Sequence, residues 1–139
     1  MTETSSKGVL RSTTIMFLFV GLFGIWMGGC EIYQGLKVKR LIKELQDEDA
    51  DVRSNAAYAL GQIRSEDAVP ALIQALQDSD AEVRYNATWA LGNIGEGAVP
   101  ALIQALQGPD EGVRWNAAEA LGKIGTPEAL EAVKKYQSR

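Results

Sequence analysis

The side chains that could do chemistry in this sequence are carboxylates, hydroxyls, one thiol and a set of aromatic rings, because its 139 residues include no histidine. Without imidazole, the chain has no Ser-His or Cys-His nucleophile pair and no metal site that uses histidine. The single cysteine, Cys30, excludes a disulfide within the chain. Carboxylates lie at predicted turns, as at Glu66-Asp67, where acidic residues are typical of helix starts. We therefore expect no catalytic site, no metal and no cofactor.

Aromatic residues are the strongest candidates for a binding site. In three copies of a repeated segment, one position reads Ser54, Tyr85 and Trp115, and the position four residues later reads Tyr58, Trp89 and Glu119. Residues four apart are neighbours on one face of a helix. Exposed Tyr and Trp side chains dominate the binding energy of many protein interfaces. We predict that a protein partner binds to Tyr58, Tyr85, Trp89, Trp115 and Glu119. The alternative is that these rings only cover gaps between the repeats or pack on arginine side chains.

These positions belong to the motif Asp-x-x-Val-Arg-x-Asn-Ala-x-x-Ala-Leu-Gly-x-Ile, which occurs three times. Its copies span 49–63, 80–94 and 110–124, with periods of 31 and 30 residues. A second segment, Ala-Val-Pro-Ala-Leu-Ile-Gln-Ala-Leu-Gln, is identical at 68–77 and 98–107. Repeats with periods in this range are typical of stacked helical hairpins.

The apolar residues of each copy recur at helical spacing, and no segment shows the sustained alternation of a strand. In the first copy these residues are Val52, Ala56, Ala59, Leu60 and Ile63. We also expect a leading helix, over 36–46, to turn Leu41, Ile42 and Leu45 towards the first repeat. The predicted fold class is all-α.

Polar and glycine residues mark where these helices begin and end. Each copy of the motif begins with an aspartate three residues before its valine: Asp49, Asp80 and Asp110. The side chain of such an aspartate can accept hydrogen bonds from the backbone N–H groups of the first helical turn. Gly95 and Gly125 follow the last isoleucine, as a left-handed residue at a helix end would. Arg64 takes this place in the first copy, so we expect a different turn there.

Over about residues 39–137 the chain resembles the HEAT-like repeats of the phycobilisome-lyase type. The resemblance implies a short, right-handed α-solenoid of about three hairpins. It also implies a ladder between neighbouring repeats, in which three arginines pair with the three aspartates: Arg53, Arg84 and Arg114 with Asp49, Asp80 and Asp110.

Two enzymes with related repeats bear on the function that the resemblance implies. Deoxyhypusine hydroxylase holds two iron atoms through His-Glu pairs, which a chain without histidine cannot supply. Phycobilin lyases share the repeat type but offer no catalytic signature that maps onto this chain. A phycobilin lyase, or an accessory factor of one, is therefore the alternative to a scaffold that binds protein.

A stretch of 19 residues without a charge, 12–30, precedes the repeats and predicts a membrane helix. As a helix it would reach about 28 Å, close to the hydrocarbon thickness of a bilayer. The basic residues that follow are Lys37, Lys39, Arg40 and Lys43. By the positive-inside rule, we expect a single-pass anchor with the repeats in the cytoplasm.

The same stretch also fits a bacterial lipoprotein signal peptide. Met27-Gly-Gly-Cys30 resembles a lipobox, in which Cys30 would be lipidated and the repeats would lie outside the cytoplasm. Met27 departs from that pattern, which usually has leucine at this position.

The predicted organisation is an N-terminal tail (1–11), the anchor or signal segment (12–30), a juxtamembrane linker with a leading capping helix (31–48) and the repeat domain (49–139). The 14 basic and 18 acidic residues give a net charge of −4, so we expect no nucleic-acid partner. The sequence as a whole predicts a membrane-anchored, non-catalytic scaffold that binds a protein partner through its repeats.

Overall fold

The computed structural model describes residues 29–139, and all regular secondary structure in that range is helical. Helix α1 occupies 29–44 of the described chain. The following helices are α2 (Ala50–Ile63), α3 (Val69–Ala75), α4 (Ala81–Ile94), α5 (Val99–Ala105), α6 (Glu111–Ile124) and α7 (Pro127–Gln137). Short 3₁₀ helices, Glu66–Ala68 and Gly95–Ala98, lead into α3 and α5. The all-α prediction is confirmed.

The predicted membrane segment, 12–30, lies outside the described residues except for its last two positions. Within 29–139, none of the helices has both the length and the apolar character needed to cross a bilayer. The chain divides into one unit that ends at Lys37 and a compact second unit, Val38–Arg139. In the first unit, the described helical residues include three exposed apolar side chains, Ile32, Tyr33 and Leu36.

The second unit is a solenoid of three helical hairpins, as the repeats predict. Helices α2, α4 and α6 pack side by side in one layer, and α3, α5 and α7 form the other. Between the layers lies a core in which each repeat contributes a completely buried leucine from its longer helix, at Leu60, Leu91 and Leu121. A hairpin cannot bury its apolar stripe alone, so stacking of the repeats stabilises each of them.

The end of α1 closes the first repeat. Leu41 and Leu45 are buried in the core of the second unit and Ile42 is partly buried, as predicted. Val38 joins them there. At the other end of the solenoid, Leu130 of α7 is exposed, and so are Lys134 and Lys135. The last helix therefore presents a largely polar outer side, which a terminal repeat needs.

The three predicted aspartates do cap their helices. Asp49 accepts a hydrogen bond from the backbone N–H of Asp51 at 2.8 Å, and Asp110 accepts one from Val113 at 2.8 Å. Asp80 accepts two, at 2.9 Å and 3.2 Å. Each bond satisfies a donor that the first helical turn leaves unpaired.

The prediction for the helix ends was partly wrong. Arg64 (φ 58°, ψ 35°) adopts the same left-handed conformation as Gly125 (φ 69°, ψ 12°), although only glycine enters that region without steric cost. Gly95 is the residue that differs, at φ 83° and ψ −136°. The Arg64 backbone N–H bonds to the carbonyl of Leu60, as the Gly125 N–H does to Leu121, so the same end-turn forms with either residue.

The implied ladder between the motif arginines and the capping aspartates does not form. Arg84 and Arg114 each donate through Nη1 to two carbonyls in the loop that precedes their own helix. Arg53 makes the same loop contacts and also a two-bond ion pair with Asp78, at 2.8 Å and 2.9 Å. Gly108 occupies the position equivalent to Asp78 one repeat later, so Arg84 has no such carboxylate to meet.

Helices α2 and α4 cross closely at Gly61. A methyl group placed on Gly61 would lie 2.7 Å from the Cα of Ala90 and 2.7 Å from Cζ3 of the Trp89 ring. Real side chains do not approach a backbone atom so closely. Gly122 is the equivalent residue of α6, and a methyl group there would meet nothing within 4 Å.

We expect Gly61→Ala to lower the free energy of unfolding by about 1–3 kcal/mol, because the added methyl group forces the two helices apart. Gly122→Ala is the matched control and should raise it by up to about 1 kcal/mol, since alanine favours the helix and the site is open. Thermal unfolding of the full chain in detergent, followed by circular dichroism, measures both. Equal effects of the two substitutions would contradict the close crossing.

The Arg53 guanidinium, which hydrogen-bonds to Asp78, holds the pKa of that carboxyl below its usual value. A lowered folded-state pKa stabilises the protein above the unfolded-state pKa of about 3.9, and this stabilisation is lost as the pH falls through the folded-state value. We expect Asp78→Asn to lower the melting temperature by about 2–4 °C at pH 7. The difference from the unaltered chain should shrink steadily below about pH 4, and a difference that stays constant in acid would contradict the ion pair.

Candidate partner-binding face

The five predicted binding residues lie on three adjacent helices of one layer. We call the surface formed by Tyr58 of α2, Tyr85 and Trp89 of α4, and Trp115 and Glu119 of α6 the aromatic face. Trp115 and Tyr85 are among the most exposed large side chains of the second unit, at 69% and 62%, and Tyr58 is 48% exposed.

Tyr58 and Trp89 form a stacked pair across the first two repeats. Their ring centroids are 4.9 Å apart and their planes differ by 15°. Gln62 donates a hydrogen bond to the Tyr58 hydroxyl at 2.9 Å. Trp89 is only partly exposed and covers the close helix crossing at Gly61. This ring therefore fills a gap between repeats, which was the alternative interpretation for the whole set.

A second contact joins the second and third repeats through a cation. The Nζ atom of Lys123 lies 5.7 Å from the centroid of the Tyr85 ring and 3.6 Å from Oε1 of Glu119. Glu119 is thus linked to Tyr85 through Lys123. The sequence analysis missed Lys123, although its position four residues after Glu119 on one helix was a usable signal.

Trp115 stands beside an open groove between α6 and α7. The groove is lined by apolar atoms of Ala118, Val133 and Tyr136, together with Gly122 and Glu119. Tyr136 was also missed, because α7 does not carry the repeated motif that aligned the other rings. An apolar groove next to an exposed indole can receive an apolar or amphipathic side chain.

Ser54 is the residue of α2 equivalent to Tyr85 and Trp115, but its surroundings differ from theirs. Ser54 is 4% exposed, whereas its equivalents Tyr85 and Trp115 are exposed. Its hydroxyl accepts a hydrogen bond from Nδ2 of Asn86 at 2.7 Å, which ties α2 to α4. Ser54 therefore does not contribute to the aromatic face.

Nothing in the described part of the chain assembles a metal site. Residues 29–139 include no cluster of three or more Cys, Asp or Glu side chains able to hold an ion. Cys30 is exposed on α1.

The two tryptophans should respond differently to truncation. We expect Trp89→Ala to lower the free energy of unfolding by about 2–3 kcal/mol, because it removes a packed ring from the helix crossing. Trp115→Ala should change it by less than about 0.5 kcal/mol, since that side chain is mostly in water. Denaturant unfolding of the two variants decides this, and a large loss for Trp115→Ala would assign that ring to the core.

Comparison with known proteins agrees with this architecture. The family model for HEAT repeats matches residues 38–98 and 96–138. The complex of CpcE and CpcF of phycocyanin lyase from a Nostoc species is similar at 38% identity and a TM-score of 0.52, over 70% of this chain and 41% of that one. No curated protein matches the chain.

Two further solved structures are similar to the chain at lower TM-scores. An engineered protein is 30% identical over 72% of this chain and 51% of its own, with a TM-score of 0.49. A designed armadillo repeat protein in complex with the peptide (KR)4 is 24% identical over 70% and 52% of the two chains, with a TM-score of 0.46. This chain thus spans about half or less of each structure that it resembles. The family match covers most of its length, and the chain belongs to the HEAT repeat family.

Proposed function

We propose that this protein is a membrane-anchored HEAT-repeat scaffold that binds a protein partner through the aromatic face and catalyses no reaction. The observation that carries the proposal is the exposure of Trp115 and Tyr85, at 69% and 62%, on neighbouring helices of the same layer. Large aromatic side chains that are exposed to solvent and not packed in the core are typical anchors of protein interfaces.

The geometry around these rings supports a docking role. Trp115 borders the apolar groove on α7, while Tyr58 is fixed by its stack with Trp89. A preorganised aromatic surface loses little side-chain entropy on binding. In α3 and α5 of the other layer and the turns that follow them, the exposed side chains include the glutamines Gln74, Gln77, Gln104 and Gln107, a residue type that seldom anchors an interface.

The anchor is part of the proposal. Residues 12–30 would form a single membrane pass, 31–48 a linker with the capping helix, and 49–139 the repeats on the cytoplasmic side. Lys37, Lys39, Arg40 and Lys43 are exposed on α1, where they can lie near anionic headgroups. The alternative is a lipoprotein with lipid on Cys30 and the repeats on the other side of the membrane.

A phycobilin lyase, or an accessory factor of one, is the second candidate function. The similarity to the CpcE–CpcF complex of phycocyanin lyase favours it. Against it, this chain spans 41% of that structure, and the groove beside Trp115 is open rather than enclosed. Attachment of a tetrapyrrole requires more enclosure than this groove offers.

Site-specific photocrosslinking in membranes tests the scaffold. A photoreactive amino acid placed at position 115 should capture a protein, whereas the same group at position 104, in the other layer, should not. Carbonate-washed membranes should retain the chain and its adduct, because a membrane helix resists extraction at high pH.

Four results would contradict the proposal or a part of it. Equal capture from positions 115 and 104 would remove the specific role of the aromatic face. A visible absorption band on the purified chain would favour the lyase. Complete release of the chain into the carbonate wash would show that residues 12–30 do not anchor it in the membrane. Incorporation of labelled palmitate at Cys30 would favour the lipoprotein over the membrane helix.

A further inference from the structure

The aromatic face already binds one cation of its own chain. Lys123 places its ammonium group 5.7 Å from the centroid of the Tyr85 ring. Ammonium and guanidinium groups are attracted to the faces of aromatic rings, most strongly to tryptophan. The more exposed ring of Trp115, one repeat further on, offers the same chemistry to a cation from outside.

A carboxylate accompanies the rings on each helix of the face. Asp51 and Glu82 occupy equivalent positions of α2 and α4, and both are exposed. Glu82 lies three residues before Tyr85, and Glu119 lies four residues after Trp115, so each is a neighbour of its ring on the helix surface. Asp51 lies two turns from Tyr58 on the same side of α2.

The cations of the repeats leave this negative charge largely uncompensated. Residues 44–133 hold 16 acidic and 5 basic side chains. Arg53, Arg84 and Arg114 are directed to loop carbonyls at the helix starts, and of these only Arg53 pairs with a carboxylate. In the described part of the chain, Asp51 and Glu82 have no Lys or Arg nitrogen within 4.0 Å.

From this charge complementarity we propose that the partner presents a Lys- or Arg-rich extended segment to the aromatic face, with its cations on the exposed rings of Tyr85 and Trp115 and beside Asp51 and Glu82. The apolar groove next to Trp115 receives the methylene stem of such a side chain. This inference rests on the proposed function, since it specifies the chemistry of the partner that the face binds.

The spacing of the helices defines a suitable probe. Packed helices lie about 8–10 Å apart. A polyproline II segment rises about 3.1 Å per residue and presents every third residue on the same side. A peptide with arginine at every third position, (Arg-Ser-Pro)4, therefore places its cations at the interval of the repeats.

Fluorescence anisotropy of the labelled peptide, with the full chain in zwitterionic micelles, measures this binding. We expect Trp115→Ala and Tyr85→Ala each to weaken binding about tenfold. Asp51→Asn combined with Glu82→Gln should weaken it about five- to tenfold at low salt and by less at 0.5 M salt, because ions screen exposed charges. Gln104→Ala, in the other layer, is the matched control and should leave the affinity unchanged. Circular dichroism verifies that each variant keeps its helicity.

Several results would contradict the proposal of a cationic segment. One is that a peptide with glutamine in place of arginine binds with the same affinity. Another is that Trp115→Ala and the carboxylate substitutions leave the affinity for the arginine peptide unchanged. Self-association of the unliganded chain that Trp115→Ala abolishes would make a second copy the occupant, through its own basic Lys134 and Lys135. Protein capture at position 115 without binding of the arginine peptide would retain the docking role and reject only the stated chemistry.

Discussion

The close approach of neighbouring long helices is the constraint on which the rest of the structure depends. At the crossing of α2 and α4, Gly61 lies against the backbone of Ala90, and both helices contribute buried alanines to the core, among them Ala57 and Ala87. Small residues let the helices approach, so stacked hairpins bury a continuous core despite their short length. Large rings cannot enter such a contact. Trp89 is therefore confined to its rim, and Trp115 lies outside it in water.

The same stacking determines where the charges go. Each motif arginine holds the loop before its own helix, which stabilises the hairpin junction and takes the cation away from the aromatic face. Only the first junction gains an ion pair between repeats, through Asp78. The outer side of the long helices thus combines exposed rings with carboxylates, and this combination connects the fold to the proposed binding of a cationic partner.

The sequence predicted the features that depend on interactions within one helix or one turn. It did not predict the features that depend on contacts with an adjacent repeat. The aspartate caps follow from hydrogen bonding within one turn, and the buried leucines follow from helical periodicity. The arginine ladder was wrong because Arg84 and Arg114 donate to loop carbonyls before their own helices, while Arg53 pairs with Asp78, which lies outside the repeated motif. Burial of Ser54 and the Lys123–Tyr85 contact depend on the adjacent repeat, which a motif read along one chain does not reveal. Arg64 adopts the left-handed conformation although the residue itself disfavours it, so residue type alone did not predict this helix end.

Hydroxyl-radical footprinting tests most directly the central claim that the fold leaves its rings exposed for a partner to cover. The account predicts that Trp115 and Tyr85 are oxidised rapidly in the purified full-length chain, while Leu60, Leu91 and Leu121 are protected. In native membranes, where the partner is present, the two rings should become protected and the leucines should not change. Protection of both rings in the purified chain, or equal oxidation of them in the two preparations, would contradict the account.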